Sequence, residues 1–168
     1  MLYTVASYCG CAMGGAGNDD VIINFFPMFW IAGEDLGVLA PVYTGAAVCI
    51  LHRWDAGGWM AAVAEHRASS VTLLVDNAVE VMRHPRVMDY DLTSLQNTSV
   101  CSFVKKLGAA FRSEWRDLTG STMVEAAYGM TETNTCDTFT VGLQKDDYDL
   151  QQQPVFVGLP VPETDVII

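Results

Sequence analysis

Tyr128-Gly129-Met130-Thr131-Glu132 is the stretch whose residue types come nearest to chemistry. An aromatic face, a glycine, a hydroxyl and a carboxylate stand together, and Thr133, Asn134, Thr135, Asp137, Thr138 and Thr140 follow. Those are the parts a nucleotide site uses: a ring against the base, hydroxyls for phosphate oxygens, a carboxylate for magnesium. A threonine-rich β edge accounts for the same residues. On residue types alone both readings stand.

Phe25-Phe26-Pro27-Met28-Phe29-Trp30-Ile31-Ala32-Gly33 is dense in rings and follows an apolar run, where parallel sheets place ligand crevices. By composition it reads as core packing. Glu34 and Asp35 are adjacent, so on a helix they do not face each other, and they suit its first turn better than an acid/base couple. Met13-Gly14-Gly15-Ala16-Gly17-Asn18 lacks the lysine of a phosphate loop and follows a helix, which makes it a connector. Cys9-Gly10-Cys11 with His52, His66 and His84 reads as buried reduced thiols and isolated surface histidines rather than a metal set.

Stepping outward, 168 residues suffice for one domain with a real core. Half the chain is apolar (51%) and only 17% is charged, which excludes disorder. Nine Lys and Arg against twenty Asp and Glu give a net charge of −11, and the first lysine is Lys105. Such a chain lacks the cationic clusters that nucleic acid or an anionic membrane requires. Five scattered cysteines with no CxxC pair point to a reducing, cytoplasmic setting. The uncharged run 36–51 contains Gly37, Pro41 and Gly45, and both it and the uncharged stretch 1–18 are shorter than the about 20 residues of a bilayer span.

Short apolar runs at 21–25, 46–51 and 71–75 have the pattern of strands buried on both faces. A helix between the last two begins at Asp55 as cap, with Trp54 and Trp59 at the two staple positions. Asp76 is expected to cap a short helix that ends near His84-Pro85. A fourth strand over 99–103, an amphipathic helix over 105–119 stopped by Gly120, and a fifth strand over 123–126 follow. This is an α/β chain with a mostly parallel sheet and flanking helices. Residues 1–13 read as a helix. Residues 141–168 are turn-rich, with Pro154, Gly158, Pro160 and Pro162 interrupting short β runs. A leading helix with no strand before it, and a chain that stops in Val166-Ile167-Ile168, suggest a piece of a larger protein.

With its surrounding segments, the pentapeptide resembles the adenylate-forming (AMP-binding) superfamily: acyl-CoA synthetases, peptide-synthetase adenylation domains and luciferases. Phe26-Pro27-Met28-Phe29-Trp30-Ile31-Ala32-Gly33 is similar to the aromatic substrate-side motif, which usually has His where Trp30 stands. Leu39-Ala40-Pro41-Val42-Tyr43-Thr44-Gly45-Ala46 and Val157-Gly158-Leu159-Pro160-Val161-Pro162 resemble the passages that follow the substrate-side and adenylate-binding motifs. The nearest flavour is a fatty-acid–CoA ligase or a related carboxylate–CoA ligase. The resemblance implies the central part of the large domain, truncated at both ends, with 141–168 leading toward a further subdomain.

The family's roles then fall on particular residues. Tyr128, Gly129, Met130 and Thr131 would bind AMP or ATP, with Tyr128 against adenine and Thr131 at the α-phosphate. Glu132 would hold magnesium, Thr131 and Glu132 forming the catalytic pair, while Trp30 and Gly33 would border the acyl pocket. The implied partners are a small-molecule carboxylate, ATP and coenzyme A. The family's phosphate loop and catalytic lysine have no counterpart in 1–168, so the chain alone is expected to be inactive. Val100-Cys101-Ser102-Phe103-Val104-Lys105-Lys106 replaces the glycine-rich adenine-side segment, and Asp76-Asn77-Ala78 replaces a proline-threonine site. Two rivals remain: a non-catalytic α/β interaction module or pseudoenzyme, and an unrelated nucleotide binder.

Overall fold

A computed structural model describes residues 2–13, 15–126, 128–152 and 156–167, without the side chains of Leu2, Ala12 and Thr135. Gly14 of the connector, Pro154 of the turn-rich end and Ile168 of the terminal run lie outside the described residues. The chain begins with α1 (Leu2–Ser7), which continues into a π-helical turn over Tyr8–Ala12. β1 (Val21–Asn24) follows. Next, α2 (Ile31–Glu34), a second π-helical turn over Asp35–Leu39 and α3 (Ala40–Thr44) form one continuous helical run. Gly45, at φ 79°, ends it in the left-handed conformation that a side chain would strain.

From there strand and helix alternate: β2 (Ala47–Ile50), α4 (Ala56–His66), β3 (Ser70–Leu74), α5 (Val75–Met82), β4 (Asn97–Cys101), α6 (Ala109–Thr119) and β5 (Thr122–Glu125). All pairings among these strands are parallel, in the order β2-β1-β3-β4-β5. Residues from α4, α5 and α6 pack with Val71, Leu73, Val100 and Met123 on one face. Residues from α1 and the 31–44 run pack with Ile22 and Phe26 on the other. The sheet therefore carries helices on both faces, as the alternating sequence pattern implies.

Local signals hold closely at α4. Asp55 Oδ1 accepts from the Gly58 N–H at 2.7 Å, and the Trp54 and Trp59 rings lie 6.1 Å apart, closing the staple. Elsewhere tertiary partners redraw the boundaries. Asp76 sits inside the first turn of α5 rather than at its cap; its carboxylate accepts from the Lys105 N–H at 3.1 Å, while Asn77 Oδ1 accepts from the Leu74 N–H at 3.1 Å. For a related reason the helix expected from 105 starts only at Ala109. Asp76 and Ser102 satisfy the backbone N–H groups of Lys105 and Leu107 in a loop, so helix is not needed there. Nor is every strand buried on both faces: β2 is a sheet edge with Ile50 51% exposed.

Beyond β5 the chain forms a small hairpin, β6 (Gly129–Met130) with β7 (Thr135–Cys136), and then β8 (Thr138–Phe139), which pairs antiparallel with β9 (Leu159–Pro160). Between β8 and β9 lie a 3-10 turn over Lys145–Asp147 and α7 (Tyr148–Gln151). This segment is fastened to α6 by Arg112, only 1% exposed, which forms a two-pronged pair with Asp149 at 2.8 and 2.6 Å. Burial opposes ionisation of Asp149, but hydrogen bonds from Arg112 and Gln144 outweigh it and hold the carboxyl below its ordinary range.

Candidate active site

In a strand order of 2-1-3-4-5 the chain leaves β1 and β3 toward opposite faces of the sheet, which opens a crevice beyond their carboxyl ends. A cavity of about 410 Å³ lies at that end. Its floor is the hydroxyl-bearing face of the sheet, Thr72 of β3 and Ser99 and Cys101 of β4. Tyr8, Trp30, Ile31, Ala32, Asp35 and Leu36 form one wall; Gly129, Met130, Thr131, Glu132 and Cys136 of the hairpin form another, with Thr140 and Val141 behind.

The two π-helical turns aim part of the first wall. Tyr8 begins one, and Asp35 and Leu36 begin the other. Such a turn accommodates an extra residue, so the face it presents is out of step with ordinary helical spacing. Asp35 is thus no exposed first-turn acid: it is 4% exposed and faces the cavity. Burial, reinforced by Cys136, Asp35 and other nearby acids, pushes the Tyr8 phenol well above its usual range. Burial also raises the thiols of Cys101 to about 12 and Cys9 to about 11. They stay protonated at neutral pH, which rules them out as ready nucleophiles.

The hairpin pairs Gly129 with Cys136 and Met130 with Thr135, and a 3-10 turn over Thr131–Thr133 makes its tip. Several hydroxyls of the threonine-rich stretch hold this shape. Thr133 Oγ1 donates to Asp137 at 2.8 Å, with the Met130 carbonyl at 3.1 Å as its alternative acceptor; Thr138 Oγ1 accepts from the Tyr128 N–H at 2.9 Å; Thr140 Oγ1 donates to the Glu125 carbonyl at 2.5 Å. The Thr131 hydroxyl and Glu132 carboxylate are exposed at the cavity mouth, and neither has a hydrogen-bond or ion-pair partner among the described residues. The β-edge and cleft readings of this stretch are therefore both realised, by different threonines.

The other expected site residues are distributed unevenly. Gly129 and Met130 line the cavity, whereas Tyr128 stands beside it, 46% exposed. Trp30 lines it, edge-on to Phe26 at 5.3 Å and 6.4 Å from the Phe103 ring. Trp30 and Phe103 are also shared with a neighbouring apolar groove of about 710 Å³ beside Leu51, Trp54 and Leu74. Gly33 lies behind that wall: a Cβ there would sit 2.1 Å from the Pro27 carbonyl oxygen. The segment after β4 is anchored by Glu125, which accepts from the Ser102 N–H at 2.8 Å and from its hydroxyl. Burial raises the Glu125 carboxyl, and the Ser102 hydrogen bonds only partly offset this. Tyr8, Thr72 and Ser99 escaped the sequence reading; the signal for Thr72 was its place between Val71 and Leu73, whereas Ser99, beside the equally polar Thr98, carried none.

The doubly wound parallel sheet with a polar hairpin over its carboxyl end is shared by solved structures. The anthranilate CoA ligase AuaEII in complex with anthranoyl-AMP superposes with a TM-score of 0.76 at 18% identity, over 96% of this chain and 30% of that one. A benzoate CoA ligase from Burkholderia xenovorans LB400 gives 0.73 at 16% identity, over 95% and 32%. The sequence pattern of the AMP-binding enzymes matches residues 1–168, and the chain belongs to that family. It is 26% identical over 129 residues to 4-coumarate–CoA ligase 3 of Arabidopsis thaliana, covering 77% of this chain and 23% of that protein. With 4-coumarate–CoA ligase 3 of Oryza sativa subsp. japonica the figures are 27% over 115 residues, 68% and 20%. The chain spans about a quarter of the length of the curated relatives it matches. No helix among the described residues is long and apolar enough to cross a membrane.

Proposed function

We propose that this chain carries the adenylate-binding part of a ligase that activates a carboxylate with ATP and transfers the acyl group to coenzyme A. The observation that carries the reading is the hairpin tip, which holds the Thr131 hydroxyl and the Glu132 carboxylate, without a partner among the described residues, at the mouth of a cavity with Trp30, Ile31 and Leu36 in its wall and Thr72 and Ser99 on its floor. In the first step a carboxylate oxygen attacks the α-phosphorus of ATP, and pyrophosphate leaves with the electron pair of the broken P–O bond. In the second the thiol sulfur of coenzyme A attacks the acyl carbon, losing its proton, and AMP departs.

The residues of this chain bind and orient. Thr131 donates to an α-phosphate oxygen, Gly129 and Met130 give the nucleotide a close backbone edge, and Tyr128 offers its half-exposed ring to the adenine. Trp30, Ile31 and Leu36 hold the acyl group. Phosphoryl chemistry depends on such positioning and on charge neutralisation. Magnesium, when bound, neutralises phosphate charge; it needs only one or two carboxylates beside phosphates and water, a requirement that the exposed Glu132 fits. The relatives that act on 4-coumarate support an aryl acid over a fatty acid as the carboxylate.

The test is backbone-amide NMR on the 168-residue chain, titrated with 5′-O-(N-aroyl)sulfamoyl adenosine, a stable mimic of an aroyl-adenylate. Shifts concentrated at Gly129, Thr131, Thr72 and Ser99 are expected, with a fatty-acyl mimic giving weaker ones. A titration that moves none of these amides would defeat the reading.

A further inference from the structure

We propose that Arg112, buried behind the sheet on α6, is a positioning residue for the cavity, acting through Asp149 and Gln144 on the Thr140–Val141 wall. Arg112 reaches the end of β5 by two routes. Directly, its Nε donates to the Met123 carbonyl at 2.9 Å. Indirectly, its two terminal nitrogens hold both oxygens of Asp149 at 2.8 and 2.6 Å, and one also reaches Asp147 at 2.7 Å. Asp149 accepts from Gln144 Nε2 at 3.1 Å, and the same nitrogen donates to the Thr140 carbonyl at 2.8 Å. Thr140 closes the circuit by donating its hydroxyl to the Glu125 carbonyl at 2.5 Å.

Both routes therefore end on β5 within two residues of each other, at Met123 and Glu125, and the segment caught between them supplies the rear wall of the cavity. The segment's other bonds are short-range: the Gly142 N–H donates to Gln144 Oε1 at 2.9 Å, the Leu143 N–H to the Thr140 carbonyl at 3.1 Å, and the Asp149 N–H to the Leu143 carbonyl at 3.2 Å. The residues from 140 to 147 form no strand, and Asp146 and Asp147 sit at φ 54° and 55°, left-handed conformations that aspartate adopts only at a cost. A planar guanidinium held by a buried carboxylate is a rigid anchor, which a solvated ion pair would not be.

For its functional arm the inference rests on the adenylation reading; for its structural arm it does not. Gln144→Ala removes the link to Thr140, and with it the acceptor of the Gly142 N–H, while leaving the Arg112–Asp149 pair intact; Arg112→Lys keeps the charge but loses the fork. Amide hydrogen exchange on the full chain is expected to quicken about fivefold in both variants at Leu143, whose N–H donates to the Thr140 carbonyl at 3.1 Å, with 70–74 in β3 unchanged. Affinity for the aroyl sulfamoyl adenosine is expected to fall by a similar factor, while Gln144→Ala keeps the wild-type melting temperature. Exchange that is unchanged at Leu143, or raised equally in β3, overturns the positioning role; so does a loosened wall with undiminished affinity. If the unaltered chain binds no mimic, the adenylation reading fails, and the exchange ratio alone decides whether Arg112 positions the wall.

Discussion

Gly33 and Glu132 illustrate how differently two residues of one site are constrained. Glu132 is exposed and has no hydrogen-bond or ion-pair partner among the described residues, so its replacement costs the fold little. Gly33 is the reverse: the Pro27 carbonyl occupies the space a side chain would take. Gly33→Ala should destabilise the chain by about 1–3 kcal/mol, as overpacking does, and displace the Trp30 wall with it. Urea unfolding reads the first effect and tryptophan fluorescence the second; a wild-type midpoint would show that the Pro27 loop yields freely. At this scale the site was half legible. Gly129 to Glu132 announced themselves by residue type and order, and the structure puts them on the cavity. Tyr8 and Asp35 did not, because a π-helical turn shifts them off the helical period by which sequence is read.

Among the elements, α4 is the one whose ends are written most locally. Its cap is a single carboxylate–amide bond from Asp55 to Gly58 at 2.7 Å. Asp55→Ala should cost about 1 kcal/mol of stability, a usual price for losing a cap, and Asp55→Asn much less. Equal losses in both variants would show that the charge rather than the hydrogen bond matters. Strand existence and the parallel class were likewise legible, since short apolar runs spaced by helical periods leave few alternatives. The boundaries of α5 and α6 were not. They are set by Asp76 and Ser102 bonding backbone groups of the 102–107 loop across tertiary contacts, which no local propensity encodes.

For the whole molecule, two carboxyls make opposite contributions to stability as pH changes. Asp149 is held below the ordinary aspartate value of about 3.9, so it adds stability above that value and loses it as pH falls through the lower folded one. Glu125 is raised above the ordinary glutamate value of about 4.3; it adds stability below that value, and this is lost as pH rises through the higher folded one. Glu125→Gln should therefore flatten the stability curve on its upper side, between about pH 4.3 and neutrality, and leave the acid limb intact. Urea midpoints from pH 7 to pH 3 check this, and an unaltered upper limb would assign the effect elsewhere.

The strand order has a consequence for how the chain reaches its native state. Each pairing in the five-stranded sheet joins strands separated by a helical crossover, and the outer pair β2-β1 flanks a β1-β3 contact that must wait for β2 and α4 to be made. With no hairpin in the sheet to zip from, the search is dominated by distant contacts, which is the slow end of two-state kinetics. β2, with its exposed Ile50, presents a bare edge to other molecules during that search and in the finished sheet alike. Yield on refolding should thus be governed by concentration, and dilution rather than added ligand is the first remedy for aggregation.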